Sequence, residues 1–301
     1  MARTRSLLEL EHLSADEITS FLKLARRMQS GKPRPLLRGK RIALLFYEAS
    51  TRTRVSFEFA AKLLGTHTSV ISAMASSIEK GESLVDTGKT LQALGSDCII
   101  VRHPSSGAPQ VLARNLQIPI INAGDGMHEH PSQALLDAYT ILRHKRSLKG
   151  LRITMVGDIQ HSRVVRSNVH LLSKFGAQIV LCGPPELLPE YAASLAPGVK
   201  VSRHIEEAAR KADVIMMLRV QKERLAGLKL DADNYIAHYQ LTPERLKLAK
   251  SDALVMHPGP MVRGMEIQSE VADGPQSVIE EQVHNGVYVR MAILAACLGV
   301  A

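Results

Sequence analysis

The stretch from Arg41 to Leu64, RIALLFYEASTRTRVSFEFAAKLL, joins two kinds of hydrophobic pattern. Within 41–47 the run is continuously apolar after its first residue, as expected of a strand buried on both faces of a sheet. From Val55 the apolar side chains recur at helical spacing, and the helix is expected to end at Gly65. The stretch therefore predicts a strand, a polar turn and a helix, the repeating unit of a parallel α/β sheet.

The same alternation continues along the chain. Strands are predicted at 41–47, 67–72, 98–101, 118–122, 152–157, 178–182, 213–218 and 253–257. Helices are predicted after a capping box at Ser14 and at 55–64, 87–94, 132–144, 164–175, 205–212 and 283–296. These segments predict an α/β protein of two similar domains, each a parallel sheet with helices on both faces, joined by long interdomain helices. We expect the first domain at 1–132, together with a returning C-terminal helix in 283–301, and the second domain at 133–282.

The chain is basic and poor in aromatic residues. Its 301 residues contain 38 lysines and arginines and 29 aspartates and glutamates, so the formal net charge is 38 − 29 = +9. A positive charge favours an anionic partner, which could be nucleic acid, a membrane surface or a phosphorylated small molecule. Aromatic residues make up only 4% and tryptophan is absent, so few side chains could stack on bases.

The apolar and cysteine patterns predict a cytoplasmic protein. The longest apolar tract, Met291 to Ala301, is too short to span a bilayer, and the N-terminus lacks the apolar core of a signal peptide. Cys98, Cys182 and Cys297 are odd in number and lack CxxC spacing. We therefore expect buried free thiols in a reducing compartment.

A polar motif, Ser50-Thr51-Arg52-Thr53, lies between the first predicted strand and its helix. The unpaired amides of a helix N-terminus, together with hydroxyls and a guanidinium, form a cradle for a phosphate or another oxyanion. The alternative is a plain helix cap with a surface arginine. No GxGxxG follows the strand that ends at Gly157, and GxxxxGK[ST] occurs nowhere, so the sequence argues against nucleotide binding through these loops.

Four sequence blocks stand in a characteristic order: FYEASTRTR at 46–54, SSIEKGES at 76–83, VRHP at 101–104 and HEHPSQALLD at 128–137. They resemble the aspartate/ornithine transcarbamylase family, and the similarity extends over essentially the whole chain. In the second half, RVQKER at 219–224 and HPGP at 257–260 resemble the branch whose acceptor is aspartate. The Ser-Met-Gly segment and the His-Cys-Leu-Pro turn of the ornithine branch are absent from these places.

The resemblance implies transfer of the carbamoyl group of carbamoyl phosphate to the α-amine of L-aspartate, an early step of pyrimidine biosynthesis, with no metal or other cofactor. It implies catalytic roles for Arg52, Thr53, Arg102 and His130. The residues implied to bind carbamoyl phosphate are Ser50, Thr51, Arg52, Thr53, Ser76, Arg102, His130, Gln133, Pro258, Gly259 and Pro260. Those implied to bind aspartate are Lys80, Arg163, Arg219 and Gln221. The resemblance also implies a cis Gly259–Pro260 peptide and a homotrimer in which Ser76 and Lys80 reach the neighbouring subunit's site.

Charge chemistry agrees with a dicarboxylate acceptor. Arg163 and Arg219 each lie just beyond a predicted strand of the second half, and ligands bind at the carboxyl ends of such strands. The planar guanidinium fork matches a carboxylate, whereas an ornithine site would need carboxylates for the side-chain ammonium. The alternative is that both arginines are surface charges and that Lys80 is simply solvated.

Other interpretations stay open at this point. His128-Glu129-His130 could indicate a metal site, although neither a thiolate nor a third histidine stands near in sequence, and we expect no metal. The nearest alternative function is a transcarbamylase for another amine such as ornithine. A nucleic-acid-binding protein and an inactive regulatory homologue are more distant, because no recognised nucleic-acid module is present and the catalytic blocks are filled. A dihydroorotase-like or regulatory partner chain is compatible with the resemblance, whereas nucleic acid and membranes are not expected as partners.

Overall fold

The computed structural model describes residues 5–31, 34–72, 81–220 and 231–300. The chain divides into two compact units: unit 1 consists of Met1–Tyr139 and Val283–Ala301, and unit 2 of Thr140–Gln282. Unit 1 gives way to unit 2 between residues 139 and 140, whereas the expected domain boundary lies between 132 and 133. Both positions are on the helix Pro131–His144.

In chain order, the elements of unit 1 up to the first division are α1 (Ala15–Ser30), β1 (Arg41–Phe46), α2 (Thr51–Leu63), β2 (His67–Ser72), α3 (Leu84–Ala93), β3 (Cys98–His103), α4 (Ala108–Asn115), β4 (Ile120–Asp125) and α5 (Pro131–His144), which crosses into unit 2. The four strands form one parallel sheet in the order β2-β1-β3-β4. Every β1 residue after Arg41 is buried, as the continuous apolar run predicts. Leu45 of β1, Val101 of β3 and Leu112 of α4 belong to one buried cluster.

Unit 2 continues with β5 (Arg152–Val156), α6 (Arg163–Lys174), β6 (Gln178–Cys182), a 3₁₀ helix (Glu190–Leu195), β7 (Lys200–Ser202), α7 (Ile205–Ala209), β8 (Val214–Met217), α8 (Ala232–Tyr239), α9 (Pro243–Leu246), β9 (Leu254–Met256), α10 (Ser269–Ala272) and α11 (Ile279–Cys297), which crosses back into unit 1. Its sheet is also parallel, in the order β7-β6-β5-β8-β9. The predicted α/β class, with two domains each built on a parallel sheet surrounded by helices, is confirmed.

The structure differs from the sequence prediction where polar residues are buried. The strand predicted at 118–122 is observed at Ile120–Asp125 and extends past Asn122. It continues because the Asn122 side chain donates to Asp125 Oδ1 over 2.8 Å, which compensates the burial of both polar groups.

Helix α4 was not predicted, because it begins after Gly107 with a proline in its first turn, a pattern that also fits a loop.

The three cysteines are buried free thiols, as predicted. Burial raises the pKa of Cys182 and of Cys297 to about 12. Among the described residues, no helix is both long and apolar enough to cross a bilayer.

Candidate active site

The Ser50–Thr53 motif lies at the start of α2. Ser50 has an extended backbone, with φ −160° and ψ 92°, and its side chain makes no capping hydrogen bond to the described helix. Ser50 is thus the N-cap residue of α2 by position, and the backbone amide of Arg54 donates to its carbonyl. Thr51 and Arg52 are exposed, and the first turn contains no acidic residue. The N-terminus of a helix carries partial positive charge, which favours an anion at this position.

Arg102 lies at the same edge of the unit 1 sheet. It pairs in register with Phe46, the last residue of β1, so it lies beside the chain that leads to Ser50. Its Nε donates to Glu48 Oε2 over 3.1 Å, and one terminal nitrogen donates to the carbonyl of Ala123 over 3.4 Å. The side chain is only 15% exposed, so these two acceptors restrict the direction of its guanidinium.

His130 and Thr53 meet across two elements. Both residues are buried, and Thr53 Oγ1 lies 3.4 Å from His130 Nε2. Thr53 belongs to the first turn of α2, and His130 immediately precedes α5. Two hydrogen-bonding groups that converge at this distance can also act together on one ligand oxygen.

The turn that carries His130 is organised by a buried carboxylate. Asp125 accepts hydrogen bonds from the Gly107 amide over 2.7 Å and from the Glu129 amide over 3.2 Å, and it pairs with His128 Nδ1 at 3.1 Å. The hydrogen bond to Asp125 raises the pKa of His128 above its ordinary value of 6.5. Burial raises the pKa of Asp125, but hydrogen bonds from His128 and its other donors outweigh it, so the net shift is downward.

The three side chains of the His128-Glu129-His130 motif face different partners. His128 pairs with Asp125, whereas the Glu129 carboxylate accepts the backbone amides of Leu10 and Glu11. His130 faces Thr53 on α2. This divergence explains the HxH spacing through hydrogen bonding rather than through shared metal ligation.

Gln133 is oriented by a carboxylate one helical turn later. Its Nε2 donates to Asp137 Oδ1 over 2.9 Å, and Asp137 is fully buried. This hydrogen bond orients the amide group, whose carbonyl oxygen is its only hydrogen-bond acceptor.

In unit 2, the predicted arginines follow two neighbouring strands. β5 and β8 are paired up to Val156 and Met217, Arg163 is the first residue of α6, and Arg219 is exposed two residues after β8. Gly157 allows the two strand ends to approach, because its φ is +134° and a Cβ there would lie 2.8 Å from the carbonyl oxygen of Leu218. Both arginines therefore follow the carboxyl edge of the unit 2 sheet.

The 257–260 segment follows β9, which is the neighbour of β8 in the same sheet. The Gly259–Pro260 peptide is cis, as the resemblance implies, and Gly259 has a φ of +70°. Pro258, Gly259 and Pro260 thus lie beyond the same carboxyl edge as Arg219.

Three of the predicted site residues, Ser76, Lys80 and Gln221, lie outside the described residues.

Sequence reasoning had missed the carboxylates that orient the others, namely Glu48, Asp125 and Asp137. Their only signal in the sequence is a position within or beside the matched blocks, since a partner cannot be read from spacing alone.

Comparisons with known proteins agree across both units. Residues 5–143 match the family model for the aspartate/ornithine carbamoyltransferase carbamoyl-P binding domain, and residues 149–297 match the model for the Asp/Orn binding domain. The aspartate carbamoyltransferase catalytic subunit of Koribacter versatilis (strain Ellin345) is 62% identical over 98% of this chain and 98% of its own length.

Solved structures show the same fold. The aspartate transcarbamoylase of Trypanosoma cruzi in complex with carbamoyl phosphate and aspartate has a TM-score of 0.87 and 33% identity, and the match covers 98% of this chain and 97% of that one. The ornithine carbamoyltransferase of Pyrococcus furiosus has a TM-score of 0.86 and 31% identity with the same coverages. With both family models matched over nearly the full length, this chain belongs to the aspartate/ornithine carbamoyltransferase family.

Proposed function

We propose that this protein transfers the carbamoyl group of carbamoyl phosphate to the α-amine of L-aspartate and so produces N-carbamoyl-L-aspartate and phosphate. The observation that carries the proposal is the near-full-length relationship to the Koribacter versatilis catalytic subunit. N-carbamoyl-L-aspartate is formed early in pyrimidine biosynthesis, so the proposed reaction belongs to that pathway. The three free, buried thiols support a reducing compartment such as the cytoplasm.

The phosphoryl group is proposed to bind at the start of α2, on the amides and side chains of Ser50, Thr51, Arg52 and Thr53. The uncapped Ser50 side chain and the absence of acidic residues in the first turn support this assignment. In the proposed homotrimer, Ser76 and Lys80 of a neighbouring subunit complete the same site.

The carbamoyl oxygen is proposed to accept hydrogen bonds from Thr53, Arg102 and His130. The convergence of Thr53 and His130 supports their action on one atom. The carbamoyl NH₂ group is proposed to donate to the Gln133 side chain and to backbone carbonyls of 258–260. The hydrogen bond from the Gln133 amide nitrogen to Asp137 supports this assignment, since it orients the amide and leaves the role of acceptor to the carbonyl oxygen.

L-Aspartate is proposed to bind through its two carboxylates to Arg163, Arg219, Lys80 and Gln221. The aspartate amine then attacks the carbamoyl carbon to give a tetrahedral oxyanion. Collapse of this intermediate breaks the C–O bond to phosphate, and the departing phosphate takes the proton of the amine. This route needs no side-chain base and no cofactor, because oxyanion stabilisation and the alignment of the two substrates supply the acceleration.

An acceptor screen with radiolabelled carbamoyl phosphate tests the proposed reaction. We expect label in N-carbamoyl-L-aspartate and none in citrulline when ornithine is offered at equal concentration. Labelled citrulline as the main product would contradict the aspartate assignment and support the ornithine alternative.

Subunit mixing tests the proposed shared site. Arg52→Ala and Lys80→Ala variants are each expected to be inactive, because each removes one part of every site. After co-refolding in equal amounts, roughly one site in four combines an intact Arg52 with an intact Lys80 from the neighbouring chain. Recovery of about a quarter of the wild-type activity is expected, and no recovery would indicate self-contained subunits.

A further inference from the structure

A buried histidine and a buried glutamate lie beside the 258–260 segment and have no part in the reaction proposed above. The side chains of His257 and Glu266 are both fully buried, and His257 Nε2 lies 3.1 Å from Glu266 Oε1. The backbone amide of Gly259 donates to His257 Nδ1 over 2.8 Å. The imidazole therefore connects the cis-proline turn to the carboxylate.

The hydrogen bonds fix the tautomer of the ring. A backbone N–H can only donate, so Nδ1 of His257 is an acceptor and carries no proton. The ring proton is therefore on Nε2, from which it is donated to Glu266. The same carboxylate oxygen also accepts the Val262 amide over 2.6 Å, and the His257 amide donates to Gln282 Oε1 over 2.9 Å. The segment 257–262 is thus held at three backbone amides.

Stability alone does not account for the pair. Burying an imidazole and a carboxylate costs the hydration of both groups, whereas apolar residues of similar volume would avoid that cost. An apolar pair, however, could not accept the amides of Gly259 and Val262. Within the described chain, the carbonyls of Pro258 and Gly259 accept no hydrogen bond, so they remain available to a ligand.

We propose that His257 is a positioning residue for the carbamoyl group: it accepts the Gly259 amide, with its tautomer fixed by Glu266, and so directs the carbonyls of 258–260 toward the carbamoyl NH₂. This inference rests on the proposed function for its substrate. It extends that function to two buried residues outside the predicted substrate-binding set.

Two substitutions of His257 separate its two hydrogen bonds. In His257→Asn, the amide oxygen takes about the place of Nδ1 and still accepts the Gly259 amide, whereas the donor to Glu266 is lost. In His257→Gln, the amide nitrogen takes about the place of Nε2 and the acceptor for Gly259 is lost. Glu266→Gln and Glu266→Ala form a second pair, since glutamine retains an oxygen acceptor and alanine does not.

Hydrogen exchange measured by mass spectrometry reports how well the backbone amides of the turn are protected, independently of enzyme activity. The peptide 257–262 has two prolines, so few amides contribute to its signal. We expect exchange of this peptide to be at least about tenfold faster in His257→Gln than in His257→Asn, and faster in Glu266→Ala than in Glu266→Gln. Equal exchange within both pairs would overturn the inference, even if the proposed reaction were not observed.

Steady-state kinetics then tests the positioning role. A displacement of about 1 Å can cost about 10²-fold in rate, so His257→Gln is expected to lower kcat/KM for carbamoyl phosphate by about 10–100-fold. Inorganic phosphate lacks the NH₂ group, so its inhibition constant should change by less than about twofold. His257→Asn and Glu266→Gln are expected to recover most of kcat/KM.

Two kinetic results would overturn the inference. One is an equal loss in the two His257 variants, and the other is a parallel loss of phosphate inhibition, which would indicate general damage to the protein. A wild-type enzyme that carbamoylates no aspartate would instead contradict the proposed function. In that case the exchange measurement still decides whether His257 and Glu266 hold the turn.

Discussion

Replacement of His130 by asparagine separates catalysis from folding. The ring of His130 is buried, and its Nε2 faces Thr53 Oγ1 at 3.4 Å. Asparagine is too short to place a nitrogen where Nε2 lies, so the variant removes one group proposed to act on the carbamoyl oxygen. The backbone turn set by Asp125 does not depend on this side chain.

The expected magnitudes differ for stability and for turnover. A separation of 3.4 Å is longer than an ordinary hydrogen bond, so loss of this contact by itself should cost about 1 kcal/mol of unfolding free energy. Loss of one preorganised oxyanion donor costs about 10²–10³ in kcat, or about 2.7–4 kcal/mol. Turnover should therefore fall much further than folding stability.

The assay is kcat at saturating carbamoyl phosphate and aspartate, with the inhibition constant of phosphate and a urea unfolding curve measured on the same sample. His128→Asn is the matched control, because His128 belongs to the same motif but pairs with Asp125 instead of Thr53. Its kcat should stay within about fivefold of wild type. The reasoning is refuted if His130→Asn retains more than about a tenth of kcat, or if phosphate binding and stability fall in parallel with it.

Three further predictions concern single side chains. Arg219→Ala should raise KM for aspartate by about 10–100-fold through loss of charged hydrogen bonds, with KM for carbamoyl phosphate nearly unchanged, and steady-state kinetics checks both. Because the pKa of His128 is raised in the folded protein, its ion pair with Asp125 stabilises the fold fully below pH 6.5 and progressively less as the pH rises through the pKa of the folded state. The difference in unfolding free energy between wild type and His128→Asn should therefore shrink over that pH range. A difference that stays constant with pH would contradict this prediction. Gly157→Ala should lower the unfolding free energy measured in urea by about 1–3 kcal/mol, because the new Cβ would lie 2.8 Å from the Leu218 carbonyl oxygen. Gly150→Ala is the control: this glycine also has a positive φ but no close neighbour, so the loss should be smaller.

The strands could be predicted because burial on both faces leaves an unbroken apolar run, as in β1 and β6. The end of β4 could not, because Asn122 and Asp125 look like loop residues until their mutual hydrogen bond is known. β7 could not be predicted either, because its three residues, KVS, are mostly not buried and form no apolar run, unlike those of the equally short β9.

The candidate site likewise contains residues that could be predicted from the sequence and residues that could not. Ser50 to Thr53 could be found from the sequence, because a helix N-terminus and its polar residues are contiguous. The groups that orient the site could not, since they join distant parts of the chain: Glu129 accepts the amide of Leu10, 119 residues away. The His257–Glu266 pair is separated by only nine residues, yet its spacing carries no recognised motif.

The central claim is that Arg52 binds the phosphate end and Arg219 the dicarboxylate end of one pair of reacting substrates. A crystal structure with N-(phosphonacetyl)-L-aspartic acid, which joins both anionic ends in one molecule, measures this directly. We predict the phosphonate on the amides and side chains of 50–53 and the two carboxylates on Arg163 and Arg219. A bound molecule whose phosphonate lies away from Arg52, or whose carboxylates contact neither arginine of unit 2, would contradict the account.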